Sequence, residues 1–234
     1  MNFLKAEWRK LAIINYEINP ALLLKYLPEG TELDFYKEKC YISLVGFMFL
    51  NTKLLGLPIP FHRHFEEVNL RFYVKKKENG IWKRGVVFIK EIVPKPALSF
   101  VANSVYKENY HTMPMKNLIH EKEDELLIKY SWRDKSWHSI QIMAENKAKP
   151  MEANSEFEFI TEHYFGFTKK ENSTSEYEVC HPKWDCYQVK DHHVEIDFHK
   201  VYGEDFECLN HQEPVSVMLA EGSEIAVKTK KYII

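Results

Sequence analysis

The segment FEEVNLRFYV, residues 65–74, decides the fold class, because its residue types alternate with the two-residue period of a β-strand. One face is apolar and comprises Val68, Leu70, Phe72 and Val74. The opposite face carries Glu67, Asn69, Arg71 and Tyr73. The apolar face is predicted to join the core, whereas the pattern alone leaves the second face either on the solvated surface or inside a polar-lined barrel.

The chain on either side of this segment has a similar composition. CYISLVGFMFL (residues 40–50) and GVVFIKEIV (residues 85–93) are rich in β-branched and aromatic residues, and the charged residues 75–85 are typical of a solvated hairpin end. Further strand-like runs follow: ELLIKYSWR (125–133), SWHSIQIMAE (136–145), EFEFITEHYFGF (156–167), EYEVCHPKW (176–184), HVEIDFHK (193–200) and VSVMLAEGSEIAVK (215–228). The last run is predicted to form two closing strands about a turn at residues 221–223.

Three segments are predicted to be helical. Asn19 and Pro20 supply an N-cap and a first-turn proline for a two-turn helix that Pro28 ends. Residues 96–110 have the apolar spacing of an amphipathic helix, and residues 203–212 are compatible with a short third helix.

The bulk composition limits the class of protein. The chain has 234 residues, of which 45% are hydrophobic and 28% are charged, so we expect one domain, residues 1–234, with a single core. Its 32 basic and 34 acidic residues give a formal charge of −2, which provides no basic excess for a phosphate backbone. We therefore expect no nucleic-acid partner.

The cysteine content and the hydropathy favour a cytoplasmic protein. Four cysteines are few for this length, and charged residues interrupt the N-terminal stretch where a secretory signal would have its apolar core. The most apolar stretch, from Ile42 to Phe61, is broken by polar residues and prolines, whereas a spanning helix needs about 20 apolar residues. We expect no membrane association.

The histidines and cysteines do not form a metal motif. Cys180-His181, His192-His193 and His62-x-His64 are close in sequence, yet the chain contains neither a CxxC nor an HExxH spacing. We expect no metal and no cofactor, and we interpret these residues as surface or core residues.

The number of antiparallel strands favours closure of the sheet, because closure removes exposed strand edges. A closed sheet also encloses an interior. If the polar face of residues 65–74 lines that interior, Arg71 is placed to clamp a carboxylate.

The segment YKENYHTMPMK, residues 106–116, joins the end of the second helix to a mixture of acidic, basic and aromatic residues. Binding groups often lie where a helix ends beside a sheet. A charged helix end is nevertheless usually solvated, so the spacing of this segment alone is weak evidence for a site.

Seven motifs carry a resemblance to a known family: PEGTEL (28–33), FEEVNLRFYV (65–74), IKEIVPKPAL (89–98), ENYHTMPM (108–115), ITEHYFGFT (160–168), HPKW (181–184) and AEGSEI (220–225). They resemble the YqjF-like family of uncharacterised proteins, which is similar to the acetoacetate decarboxylase superfamily. The motifs span nearly the whole chain.

This resemblance implies a mostly β fold at the border of the α+β class. The expected architecture is a cone-shaped, mostly antiparallel β-barrel with a few helices and an internal pocket, formed by residues 1–234. Glu67 matches a Tyr-x-Glu strand near the pocket of the decarboxylases, which favours an inward Glu67.

The resemblance also bears on the reactive lysine. The decarboxylases have an Arg-Glu pair followed by Pro-Lys-Lys, whose first lysine forms a Schiff base. Here Lys107-Glu108 matches the first pair and Pro114-Met115-Lys116 the second stretch, with one extra residue between them. Met115 then takes the place of the nucleophile, and a thioether cannot condense with a ketone. Lys116 can substitute only if the extra residue turns it inward.

We therefore expect a small-molecule-binding protein, or a decarboxylase-like or other lyase, that takes a small organic acid. The predicted catalytic residues are Lys116, Glu108 and Glu67. The predicted ligand-binding residues are Arg71, Asn69, Tyr106, Tyr110 and Met115.

Two alternatives stay open at this point. One is a non-catalytic binding or regulatory module that retains the barrel without the nucleophile. The other is a structural or interaction protein with a filled barrel, for which Glu67 and Arg71 would point to solvent. A homo-oligomer is compatible with either.

Overall fold

The computed structural model describes residues 2–106, 108–171 and 173–233, excluding the side chains of Val105, Tyr106 and Ile233. The larger sheet consists of β1 (Asn2–Glu17), β2 (Glu32–Leu33), β3 (Phe35–Tyr36), β4 (Lys39–Leu54), β5 (Leu57–Pro58), β6 (Phe65–Glu78), β7 (Ile81–Val93), β8 (Tyr110–Thr112), β12 (Phe165–Lys169), β13 (Thr174–Cys180), β14 (Cys186–Tyr187), β16 (Ser216–Lys228) and β17 (Lys231–Ile233). The smaller sheet consists of β9 (Met115–Glu121), β10 (Glu125–Arg133), β11 (Trp137–Glu145) and β15 (Val189–Glu195).

Short helices connect the strands. They are α1 (Pro20–Leu23) with a following 3-10 turn (Leu24–Tyr26), α2 (Pro96–Val101) with a following π turn (Ala102–Tyr106), α3 (Glu156–Thr161), and α4 (Phe198–Tyr202) with a following 3-10 helix (Glu204–His211). The helix predicted for residues 96–110 is thus shorter, since its π turn leads into an extended segment. None of the helices in the described residues has the length and apolar character that crossing a bilayer requires.

The larger sheet curls back on itself. Its strands follow the order β14-β16-β1-β4-β6-β7-β12-β13-β17, and β13 also pairs with β16. Two junctions of this ring are short, because β7 and β12 share two parallel residue pairs and β13 and β16 share two antiparallel pairs. The mostly β prediction is confirmed, and the larger sheet is curled and mostly antiparallel, with two short junctions.

Two apolar clusters hold the sheets together. One lies between the larger and the smaller sheet, and it contains the predicted core face of residues 65–74 together with Ile128, Tyr130 and Ile140. The other lies on the concave side of the larger sheet and contains Val45 and Phe47. Because strand side chains alternate between faces, the polar face of β6 must point to the concave side.

Two runs predicted as strands contain helices. Residues 156–161 form α3, whose N-cap Ser155 accepts a hydrogen bond from the backbone N–H of Glu158 at 3.1 Å. Likewise β15 ends at Glu195, and Asp197 caps α4 by accepting from the Lys200 N–H at 3.0 Å. These caps satisfy otherwise unpaired helix N–H groups, and they outweigh the β propensity of the neighbouring aromatic residues.

The C-terminal run was predicted as two strands, but β16 is continuous from Ser216 to Lys228. It pairs with β1, which reaches from Asn2 to Glu17 and was not predicted. Gly222 lies at φ +83°, and an added Cβ would be 2.0 Å from the carbonyl oxygen of Trp8. Only glycine fits this conformation and this close approach, so β16 continues through residues 221–223, whose composition is typical of a turn.

Gly46 determines how closely the two sheets approach, and we expect Gly46→Ala to destabilise the protein by about 1–3 kcal/mol through overpacking. An added Cβ would lie 2.7 Å from a ring carbon of Tyr130 and 2.8 Å from Ile140 Cδ1. Chemical denaturation of both variants measures the loss. The double variant Gly46→Ala/Ile140→Val should recover part of it, and an unchanged denaturation midpoint in the single variant would show that the sheets do not approach this closely.

Candidate functional site

A cavity of about 200 Å³ lies on the concave side of the larger sheet. Most of its wall is hydrophobic and includes Trp8, Val45, Phe47, Phe49, Phe65, Val86, Phe88 and Trp184. Half-buried or exposed lining residues come from the segment that contains Leu54, Ile59 and His62 and from Ala97 and Leu98 of α2. The fold thus encloses a mostly apolar space that these two segments border.

A row of polar side chains crosses this apolar wall. Glu67, Asn69 and Arg71 all line the cavity, because they occupy alternate positions of β6. Asn69 Nδ2 donates to Glu67 Oε1 at 3.0 Å, while Asn69 Oδ1 is buried without a partner. The cavity therefore contains an unsatisfied acceptor, which is costly unless a ligand or water pairs with it.

Further acidic groups face the same space. Glu91 lies opposite Asn69 in the β6–β7 register and is buried, and its Oε2 has no hydrogen-bond partner. The Tyr110 hydroxyl on β8 donates to Glu67 Oε2 at 3.1 Å. Glu108 also lines the cavity, and its carboxylate accepts a hydrogen bond from the Thr168 hydroxyl.

Burial controls the charge of these groups. It raises the pKa of Glu67 to about 7, although hydrogen bonds from Asn69 and Tyr110 and the positive charge of Arg71 act in the opposite direction. The pKa values of Glu91 and Glu108 are raised by burial too, and in Glu91 the nearby Glu67 and Glu108 charges raise it further. The raised pKa values favour the protonated forms of these carboxyls, which reduces the negative charge of the cavity.

Arg71 is the one arginine or lysine among the described residues that line the cavity. Its Nε atom is buried without a hydrogen-bond partner, and no carboxylate in the described part of the chain lies within the 4.0 Å of an ion pair. Its guanidinium lies 5.8 Å from the centre of the Tyr73 ring. A guanidinium in this state offers donors to a planar oxyanion.

Two histidines lie near Arg71 but add little charge. His163 Nε2 is 3.2 Å from Asp34 Oδ2, and burial lowers the pKa of His163 to about 4 despite this contact. Burial also lowers the pKa of His181, whose ring stacks on Trp184 with centroids 4.2 Å apart. Both rings are therefore neutral near pH 7.

Lys116 does not line the cavity, contrary to the prediction. It lies on β9 of the smaller sheet, is exposed, and places its ammonium 4.8 Å from the centre of the Trp137 ring. Strand alternation points Lys116 outward and turns its neighbour Met115 toward the cluster between the sheets, so Met115 is not in the cavity wall either. No lysine is among the described residues that line the cavity.

The remaining predicted residues have separate outcomes. The side chain of Tyr106 lies outside the described residues, as does all of Lys107. The structure brings together Glu67, Asn69, Arg71, Glu108 and Tyr110 in one wall. Within the described ranges, no three metal-binding side chains form a group that could hold an ion.

Sequence reasoning missed Glu91. The segment 85–93 is mostly apolar and does not mark one face as polar, and the pairing shifts between Leu70 and Arg71, so that Lys90 faces Leu70 and Phe88 faces Arg71. This bulge changes which residues of β7 point inward, and it leaves no signal in the composition. The one available indication was an acidic residue, Glu91, within the mostly apolar segment 85–93.

The fold is of the acetoacetate-decarboxylase-like type. The chain belongs to the family DUF2071, described as an uncharacterized conserved protein, whose family model matches residues 5–224. It is 33% identical over 75 residues to the uncharacterized protein YqjF of Bacillus subtilis. That match covers 32% of this chain and 31% of YqjF, so the chain spans about a third of this relative.

Solved structures with the same fold cover nearly the whole chain. Acetoacetate decarboxylase from Legionella pneumophila matches 99% of this chain and 87% of its own, with a TM-score of 0.69 and 15% identity. An acetoacetate decarboxylase-like enzyme from Sphingomonas wittichii matches 100% and 94%, with a TM-score of 0.66 and 10% identity. The enduracididine biosynthesis enzyme MppR, complexed with pyruvate, matches 99% and 91%, with a TM-score of 0.67 and 9% identity. At these identities the likeness establishes the fold alone, and the expected resemblance is confirmed.

Proposed function

We propose that the protein binds a small organic acid in its cavity and holds the carboxylate with Arg71. The observation that carries this proposal is the guanidinium itself, which faces the cavity with a buried Nε atom that has no partner. Leaving a buried N–H donor without a partner is unfavourable, and an anionic ligand would accept a hydrogen bond from it. The pyruvate with which MppR is complexed is an acid of this kind, bound to a protein of the same fold.

The raised pKa values of the surrounding acids support the same ligand. Protonated Glu67 and Glu91 do not repel a carboxylate, and each can donate a hydrogen bond to it. A structural protein with a filled barrel is disfavoured, because Glu67 and Arg71 line an open cavity. We place this binding activity in the cytoplasm, where the four free cysteines stay reduced.

The test is thermal stabilisation of the full chain at pH 6.5 by benzoate and pyruvate, with benzamide as the uncharged control. At ten times the dissociation constant, binding stabilises by about 1.4 kcal/mol, which corresponds to about 3–5 °C for a protein of this size. We expect at least one acid to give this shift and benzamide to give less than 1 °C, taken as roughly the error of the method. Equal shifts with acid and amide, or no shift, would contradict the proposal.

A proton-transfer enzyme is the second candidate, favoured by Glu67, whose pKa of about 7 suits an acid-base group at neutral pH. The Schiff-base route has no support, since no lysine is among the described lining residues. Pyruvate incubated with the protein in D₂O tests the candidate by proton NMR. If the protein is a catalyst, it should exchange the methyl protons faster than its Glu67→Gln variant does. Equal rates would contradict the enzyme and leave ligand binding as the proposed function.

A further inference from the structure

Five aromatic side chains form one continuous part of the cavity wall, which we call the aromatic box: Trp8, Phe47, Phe49, Phe65 and Trp184. The ring of Trp8 makes edge contacts with Phe47 at 5.2 Å, with Phe49 at 5.8 Å and with Trp184 at 6.3 Å between centroids. Phe49 and Phe65 stack at 4.7 Å. These contacts hold the rings in fixed orientations, so the box is preorganised.

The order of residues on β6 separates the box from the cation. Phe65, Glu67, Asn69 and Arg71 occupy alternate positions of one strand face, and Glu67 lies opposite Phe47 in the β4–β6 register. The side chain of Arg71 therefore approaches the polar row from one direction, and the rings border it from the other. His181 lies between the two regions, since its ring stacks on Trp184 and the positive charge of Arg71 adds to the effect of burial in lowering its pKa.

The volume limits the size of the occupant. An apolar protein cavity of about 150 Å³ holds one benzene molecule. A cavity of about 200 Å³ therefore has room for one six-membered ring and about three further heavy atoms, which is the size of benzoate. Small polar keto acids would leave most of the aromatic wall without contacts, at the cost that unfilled apolar space carries.

We propose that the ligand is an aromatic carboxylic acid of about the size of benzoate, with its ring in the aromatic box and its carboxylate on Arg71. This inference rests on the proposed function, since it names the class of acid that the same site takes. The polar row of Glu67, Asn69 and Tyr110 then lies beside the carboxylate end of the ligand. Burial of the ring supplies most of the affinity, and Arg71 sets the orientation.

The test compares benzoate, cyclohexanecarboxylate, pyruvate, acetoacetate and benzylamine by calorimetry and by tryptophan emission. Two of the five tryptophans, Trp8 and Trp184, line the cavity, so an occupant should change the emission. We expect benzoate to bind about 50–100-fold more tightly than pyruvate, because a phenyl ring removes roughly 100 Å² of apolar surface from water. Cyclohexanecarboxylate should bind between the two.

Phe47→Leu tests the box directly, with Phe72→Leu as its matched control. Both residues are buried phenylalanines, but Phe72 points to the cluster between the sheets. We expect Phe47→Leu to weaken the affinity for benzoate about tenfold and to leave the affinity for pyruvate nearly unchanged. Phe72→Leu should change neither affinity. If Phe47→Leu does not fold, the ligand series on the unaltered protein decides the question.

Each outcome separates this inference from the proposed function. Benzoate preferred over pyruvate, with a loss confined to Phe47→Leu, supports both. Pyruvate or acetoacetate binding as tightly as benzoate overturns the aromatic ligand and leaves acid binding in place. Benzylamine binding without either acid overturns both, since the occupant would be a cation, and no binding by any compound overturns both as well.

Discussion

Arg71→Met should strongly weaken acid binding, with affinity for benzoate falling at least about 30-fold. The Arg71 guanidinium faces the cavity, and truncating one partner of a buried charge pair costs about 2–5 kcal/mol. Methionine keeps most of the side-chain length, so the apolar contacts of the stem persist. Calorimetric titration of the folded variant measures the loss.

Arg133→Met is the matched control for this substitution. Arg133 is exposed at the end of β10, its guanidinium lies 5.3 Å from the centre of the Trp137 ring, and it is not among the residues that line the cavity. It should bind benzoate as the unaltered protein does. Arg71→Lys should recover part of the affinity, because an ammonium keeps the charge but not the forked geometry. Unchanged binding in Arg71→Met would show that the acid lies elsewhere.

The gain in stability from Glu67→Gln should be about 2.5 kcal/mol larger at pH 8 than at pH 5. Burial raises the pKa of Glu67 from 4.5 to about 7, so between these values the folded state binds a proton that the unfolded state has lost. The wild type therefore loses stability as the pH rises through this window. Each pH unit within the window lowers the free energy of unfolding of the wild type by about 1.4 kcal/mol. Glutamine cannot ionise, so the variant does not lose this stability.

Comparison of the two proteins isolates Glu67 from other titrating groups. His163, with a pKa lowered to about 4, contributes the opposite pH dependence over a similar window, and it contributes equally to both proteins. Glu78→Gln is the control, since ion pairing with Lys83 at the surface lowers the pKa of Glu78 and its removal should give no gain at pH 8. A pH-independent difference between Glu67→Gln and wild type would mean that Glu67 ionises as in water.

The fold was predictable where burial follows a regular period. Residues 65–74 alternate, and the structure buries the predicted apolar face against the smaller sheet. The strand predicted for residues 156–161 was wrong, because the Ser155 cap stabilises a helix in residues that have high β propensity. The prediction of two strands about a turn at residues 221–223 was wrong too, because β16 is continuous. Gly222 can serve a turn or a bend, and the sequence does not distinguish them. The prediction that residues 1–234 form one domain stays a prediction.

The site was partly accessible from the sequence. Glu67, Asn69 and Arg71 share one strand face, so their proximity follows from the two-residue period. Lys116 was misplaced, because a motif match does not reveal that its strand belongs to a different sheet. The box around Trp8 and Trp184 depends on contacts between residues 176 positions apart in the chain, which local patterns do not encode.

A crystal structure of the protein soaked with benzoate tests acid binding in the cavity most directly. We predict a carboxylate with both oxygens within about 3 Å of Arg71 nitrogens. The same density should show the ring among Trp8, Phe47 and Trp184. Benzoate bound outside the cavity, or an Arg71 guanidinium paired with one of the protein's own carboxylates and no ligand density beside it, would contradict the account.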